Sequence, residues 1–308
     1  MLHRRDFIRM SGGAAIALAF APCYRLFAND RDSKYALQLQ LLAALKKFAV
    51  SHFLLNTDDD FFTKWSELEK MRLFLYVSRA DRIESPEGFG MYKGFDMDEE
   101  TALQEKKKYD ALGYHTLLYR TAGTSSALIT ERLFSYPPEC ICFIVFHESF
   151  HVHLAQSGCH VNYMLEEATG DVIGNYGALA FSENNGLVNR KDAQNQITLN
   201  EHLYHFINKT VEKINKAQPH DFPHIYAGCN ARISSLLKYG TAFQQDRFGY
   251  EVNNAYLLRN RYYAENYFII RSLFIKMQSM AKFVRFMTDL PPEIEQAKRL
   301  IISLNSPR

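Results

Sequence analysis

Strong charge of either sign is missing from this 308-residue chain: 36 Lys+Arg stand against 34 Asp+Glu, a formal net charge of +2 at pH 7. That balance gives neither the basic field that nucleic acid requires nor a strong pull toward an anionic membrane, so neither partner is expected. No repeat period or low-complexity tract is visible, which excludes repeat architectures and biased segments. Tryptophan is almost absent, with a single residue, whereas 18 Tyr and 23 Phe are present, so the core should be rich in the smaller aromatics. What remains is 47% hydrophobic and 23% charged residues, the composition of a globular protein. No stretch is long or polar enough to act as a linker, so residues 29–308 read as one domain.

Residues 1–28, MLHRRDFIRMSGGAAIALAFAPCYRLFA, carry their signals in a set order. Arg4 and Arg5 precede Asp6, Phe7, Ile8 and Arg9, and the apolar stretch 12–21 is too short to span a bilayer but suits a signal h-region. The pattern resembles a twin-arginine export signal, which implies delivery to the bacterial periplasm of a protein already folded and loaded with any metal. Cleavage after Ala28 and a lipid anchor at Cys23 are both open, with Pro22 counting against the latter. A basic start followed by an ordinary buried helix is the alternative. Of the other cysteines, Cys140 and Cys142 sit two apart on an expected helix and point in different directions, so they should not bridge. Pairing of Cys159 with Cys229 is geometrically open.

Apolar residues at three-four spacing predict helices over 34–55 and 64–82. A helix over 99–111 ends near Gly113, and TyrHisThrLeuLeuTyr at 114–119 reads as a short strand between that glycine and a turn cluster at 121–126. Pro137-Pro138-Glu139 opens the next helix, since proline suits the first turn and an acid favours the positive helix end; Gly158 is its expected cap. Helices around 161–182, 192–217, 228–246, 252–283 and 291–304 complete a mainly α chain with a small β element, an α+β class.

Within the helix that starts at Pro137 stands FHESFHV, residues 146–152. Positions four apart lie about 40° from each other around a helix, so His147 and His151 project from one face and both imidazoles can reach one metal ion. Glu148 stands at the edge of that face, where it can take a proton from an attacking water. The lead-in CICFIVF is almost wholly apolar, giving the dry support that a zinc site needs. A third ligand is supplied by the next helix, in MLEEATGDVIG, as Glu167; Glu166 is its rival. His153 and His160 do not fit the phase and read as surface or hydrogen-bonded residues. Lys106–Lys108 read as a solvated helix face, and the cysteines near 140 as small core residues.

HESFH together with Glu167-Ala-Thr-Gly-Asp171 resembles the thermolysin-type gluzincin arrangement, and the resemblance implies a zincin-like metallopeptidase core. It makes Glu167 the third zinc ligand and Asp171 the acid that orients a ligand histidine. GMYKGF at 90–95, EETALQEKKKYDALGYHTLLYR at 99–120, the Ala-Gly-Thr-Ser-Ser stretch and NNAYLLRNRYY at 253–263 follow in the order seen in a bacterial family of predicted zinc aminopeptidases. That family places a strand and a Ser/Thr-rich loop before the metal helix and an Asn-Asn-Ala helix after it. By the same resemblance Tyr263, ten residues after Asn253, is the phenol that steadies an oxyanion; packing of a helix tyrosine is the alternative.

The expectation is therefore a one-zinc peptidase acting on peptide or protein substrates, of aminopeptidase type, with Glu148 as general base. A zinc endopeptidase, or a non-catalytic zincin-fold binding or envelope protein, is the alternative; the intact Glu148 argues against a binding role. An aminopeptidase needs a carboxylate for the substrate amine, and TLLYRTAGTSSA offers none; Glu166 and Glu131 are the candidates.

Overall fold

The computed structural model describes residues 32–58, 60–66, 73–95, 98–121 and 128–305. The expected export signal with Cys23, and residues 122–126 of the Ser/Thr-rich loop, lie outside them. In chain order the elements are α1 (Ala36–Phe48), which continues as a π-turn (Ala49–Phe53), β1 (Leu73–Ser78), β2 (Lys93–Phe95), α2 (Glu99–Ala111), β3 (His115–Arg120) and a short α3 (Glu131–Phe134). There follow α4 (Pro138–Ser157), α5 (Tyr163–Asn184), α6 (Arg190–Lys216), α7 (Phe222–Leu237), α8 (Ala242–Phe248), α9 (Asn254–Ala264), α10 (Tyr267–Met277), α11 (Met280–Thr288) and α12 (Ile294–Asn305). The chain is mainly helical, with one antiparallel sheet of order β2-β1-β3 among the described residues. Among the described residues no helix is long and apolar enough to cross a membrane.

Alternation gives the sheet two different faces. Phe74 pairs with Tyr119 and Tyr76 with Leu117, so these four share one face, and Tyr76, Leu117 and Tyr119 join the main core. The opposite face meets α2: Thr116 donates a hydrogen bond to Asp110, and Arg120 pairs with Glu99. The helix expected over 64–82 is thus corrected for residues 73–78, which are strand β1. LFLYV at 73–77 is covered on both faces, so it lacks the alternating pattern that marks a half-exposed strand and mimics a buried helix turn.

Helix α4 is apolar all round over residues 140–146, and every one of these is buried. A helix of that kind must be covered on all sides, and α1, α5 and α6 pack around it. Burial of Ile141, Phe143, Ile144 and Phe146 contributes about 1.5–3 kcal/mol each relative to exposure. The helix starts on Pro138 after an extended Pro137 and ends at Gly158 with φ 66°, the left-handed cap its sequence predicts. Contact with α5 is close enough that a Cβ at Gly174 would stand 2.8 Å from the Phe143 carbonyl oxygen. Only glycine lets the two backbones approach so far.

Two expected helices are interrupted. The helix over 228–246 breaks between Leu237 and Ala242, where Gln244 Oε1 accepts from the Thr241 N–H at 2.9 Å and opens α8. The helix over 252–283 is three: α9 ends at Ala264, α10 starts at Tyr267, and Gln278 at φ 52° with Ser279 capping the next turn separates α10 from α11. Helix α9 is tied to the sheet side by its first residues. Asn253 caps it by accepting from Tyr256 N at 2.9 Å and donates to the Thr116 carbonyl, while Asn254 donates to the Arg79 and Ala80 carbonyls. That anchoring aims the next two turns of α9, with Arg259 and Tyr263 four apart, at the space between the sheet and α4.

Candidate metal centre

The helical period of α4 and the close approach of α5 bring three donor atoms together. His147 Nε2 and His151 Nε2 are 2.9 Å apart, and Glu167 Oε2 lies 3.4 Å from the first and 3.7 Å from the second. All ligand atoms of the triad lie within 4.8 Å of one another, and the three residues are buried. This group can hold a metal ion. Two imidazole nitrogens and a carboxylate oxygen form a donor set that suits zinc, and three protein ligands leave a position open.

The outer nitrogens of both rings meet carboxylates. His147 Nδ1 lies 3.0 Å from Asp171 Oδ1, with the N–H off the ideal hydrogen-bond line, and His151 Nδ1 lies 2.7 Å from Glu166 Oε1. A proton held at each Nδ1 leaves the Nε2 lone pairs facing Glu167. Asp171 is in turn held from behind, because Arg247 Nη2 is 2.6 Å from its Oδ2 and Tyr204 donates its hydroxyl to the same oxygen. Burial pushes the Asp171 carboxyl up, but Arg247 and His147 hold it below its ordinary value. Burial lowers the His147 imidazole, yet Asp171 and Glu167 outweigh it and raise its proton affinity. The same carboxylates favour any cation placed between the Nε2 atoms.

Glu148 is buried and lines the cleft that opens on His147 and Glu167. Phe74, Tyr76 and Tyr119 line it from the sheet, and Tyr263 from α9, its ring centroid 6.4 Å from that of His147. Burial raises the Tyr263 phenol well above its ordinary value and the Glu167 carboxylate adds to this, so the group stays a protonated donor at neutral pH.

His147, Glu148, Glu167 and Tyr263 therefore line one cleft, His151 completes the triad with His147 and Glu167, and Asp171 stands behind the His147 ring. Glu166 does not join the triad and instead takes the outer nitrogen of His151, a role the sequence reading missed. Its neighbour relation to Glu167 turns it about 100° around the helix, enough to reach the far edge of that ring. Arg247 and Tyr204 were also missed, since both come from other helices and no local pattern links them to Asp171. Glu131 sits on α3, paired with Lys34 at 3.7 Å, and is not among the cleft residues.

Of the remaining expectations, His153 Nδ1 accepts from the Asn56 N–H at 2.9 Å, and His160 is exposed. Lys106 and Lys108 pair with Asp110 and Glu105 on the outer face of α2. Cys140 and Cys142 are buried and unbridged, and Cys159 and Cys229 are not joined, Cys229 Sγ lying 3.4 Å from Thr210 Oγ1. Compared with known proteins, the chain matches no family model, no curated protein and no solved structure.

Proposed function

We propose that the chain is a zinc peptidase of gluzincin type, with His147, His151 and Glu167 holding one zinc ion. The observation that carries this reading is the convergence of the two Nε2 atoms on Glu167 while carboxylates engage both Nδ1 atoms. Zinc held there supplies Lewis acidity toward a peptide carbonyl and lowers the pKa of water. Glu148 takes the proton from the attacking water and delivers it to the leaving amine, which its place in the cleft supports. Tyr263 donates its O–H to the oxyanion that develops on the substrate carbonyl. Asp171 and Glu166 hold the imidazoles in the donor tautomer.

The resembled family implies aminopeptidase specificity, and the export signal implies a periplasmic site of action; both belong to the same proposal. An endopeptidase is the second reading. It is favoured by the cleft's acids, since Glu148 and Glu167 are the only carboxylates among the described residues that line it. Neither is left over for a substrate amine.

Metal analysis of the mature protein, with turnover of peptides having free and blocked N-termini, tests the proposal. One zinc per chain and hydrolysis that collapses in Glu148→Gln, with zinc retained, is the expected result. A wild type that holds zinc and cleaves no peptide overturns it. Cleavage of free N-termini only establishes the aminopeptidase, and cleavage of peptides blocked at both ends the endopeptidase.

A further inference from the structure

Arg259 lines the metal cleft and is only 1% exposed, yet no carboxylate stands opposite it among the described residues. Its Nη1 is used within the protein, donating to the Arg247 carbonyl at 3.0 Å and to Asn260 Oδ1 at 2.7 Å. Its Nε is buried with no hydrogen-bond partner, and no bond from Nη2 is found among the described residues. The Nε–Nη2 edge is the side of a guanidinium that forks onto a carboxylate with two parallel N–H bonds. Tyr119 backs the group face-on, the guanidinium carbon lying 3.8 Å from the ring centroid, so the plane is stacked and only its edge remains for a ligand.

A second guanidinium strengthens the pattern. Arg247 spends Nη2 on Asp171, but its Nη1 is buried without a partner. Arg247 and Arg259 flank the Tyr263 ring at 4.7 and 5.1 Å, and that ring lies 6.4 Å from His147. Arginine is always charged, and a buried cation without a counter-ion is costly. Tyr263 thus lies against both arginines and near His147 of the triad, so a ligand held by Arg259 stays within the cleft that the triad lines.

We propose that Arg259 is the anchor for the free α-carboxylate of a peptide substrate, which makes this a site for short peptides or peptide C-termini. The proposal rests on the peptidase reading for the word substrate, but the anchor itself belongs to the metal-free protein. A carboxylate forked on Arg259 sets the preceding peptide bonds along Tyr263 toward Glu148. The same arrangement accounts for a cleft with two arginines and, among the described residues, no acid beyond Glu148 and Glu167.

Calorimetric titration of chelator-treated protein with N-acetyl-Ala-Phe, and with the same peptide as its C-terminal amide, tests the anchor apart from catalysis. The acid should bind at least about tenfold tighter than the amide, since a charge-assisted bidentate pair is lost with the carboxylate. Arg259→Gln should abolish the preference and Arg259→Lys should restore part of it. If Arg259→Gln does not fold, the acid–amide comparison on the wild type decides alone. Equal binding of acid and amide, tighter binding of the amide, or no binding of either overturns the anchor. Zinc content and hydrolysis judge the peptidase reading separately, because this titration contains neither.

Discussion

A Cβ built on Gly170 of α5 would stand 2.9 Å from both Nδ1 and Cε1 of the His147 ring on α4. The glycine thus sets how far the imidazole can lean toward α5, and with it the line from Asp171 through Nδ1 to Nε2. In helix interiors glycine is destabilising by about 1 kcal/mol relative to alanine, so propensity alone favours Gly170→Ala. Overpacking of a tight core costs about 1–3 kcal/mol and should win. Gly177 makes the control, since its Cβ would meet Phe146 Cδ2 at 2.8 Å, away from the triad. Both alanine variants should melt at lower temperature, but only Gly170→Ala should lose zinc in a chelator competition. Equal zinc affinity in the two would show that the ring is not held by this contact.

Asp171 and Glu166 occupy the outer nitrogens of the two histidines, and loss of such a partner typically costs about 10–100-fold in metal affinity or activity. Asp171→Asn should therefore weaken zinc binding in a folded protein, and Glu166→Gln should do so too. Glu167→Ala should nearly abolish it. Asp171 also carries Arg247 and Tyr204, so its substitution should lower stability more than that of Glu166. Chelator titration with thermal melts of the apo-proteins separates the two effects. An Asp171→Asn protein with unchanged affinity would remove this residue from the site.

Tyr263→Phe removes only the hydroxyl and keeps the ring between the two arginines. Removing an oxyanion donor elsewhere costs about 10²–10³ in kcat. The same loss is expected here, with KM for peptides and zinc affinity nearly unchanged. A packing tyrosine would instead show a small stability change and an unaltered kcat.

Two histidines outside the triad make stability depend on pH. Burial holds His115 and His153 below the ordinary imidazole value, and each Nδ1 accepts a backbone N–H, from Asn254 and Asn56 respectively. A depressed folded-state pKa means that the unfolded chain binds the proton first. Their contribution is fully present above about pH 6.5 and is lost as pH falls through that value toward the folded one. Between pH 7.5 and 5 the metal-free wild type should lose more melting temperature than the His115→Asn/His153→Asn double variant. Parallel curves would show that neither ring titrates differently on folding.

How much of this was readable beforehand depends on how far each feature reaches along the chain. His147 and His151 share a face because the helix repeats every 3.6 residues, and that follows from spacing alone. The start of α4 at Pro138 and its end at Gly158 are also local, because each satisfies a helix terminus with its own neighbours. Residues 73–78 were misread as helix, since burial on both faces erased their alternation.

The site divides along the same line. Sequence alone put two histidines and a glutamate on successive helices, because helix period and turn length are properties of adjacent residues. Only the tertiary structure decided that Glu166 serves His151, that Arg247 and Tyr204 hold Asp171, and that Arg259 faces the cleft with no carboxylate opposite it among the described residues. Arg247 reaches Asp171 across 76 positions and Tyr204 across 33, distances over which no periodicity survives. Which charges meet at such range is set by how α5, α6, α8 and α9 pack on one another, and by the cost of burying any charge that packing leaves unmatched.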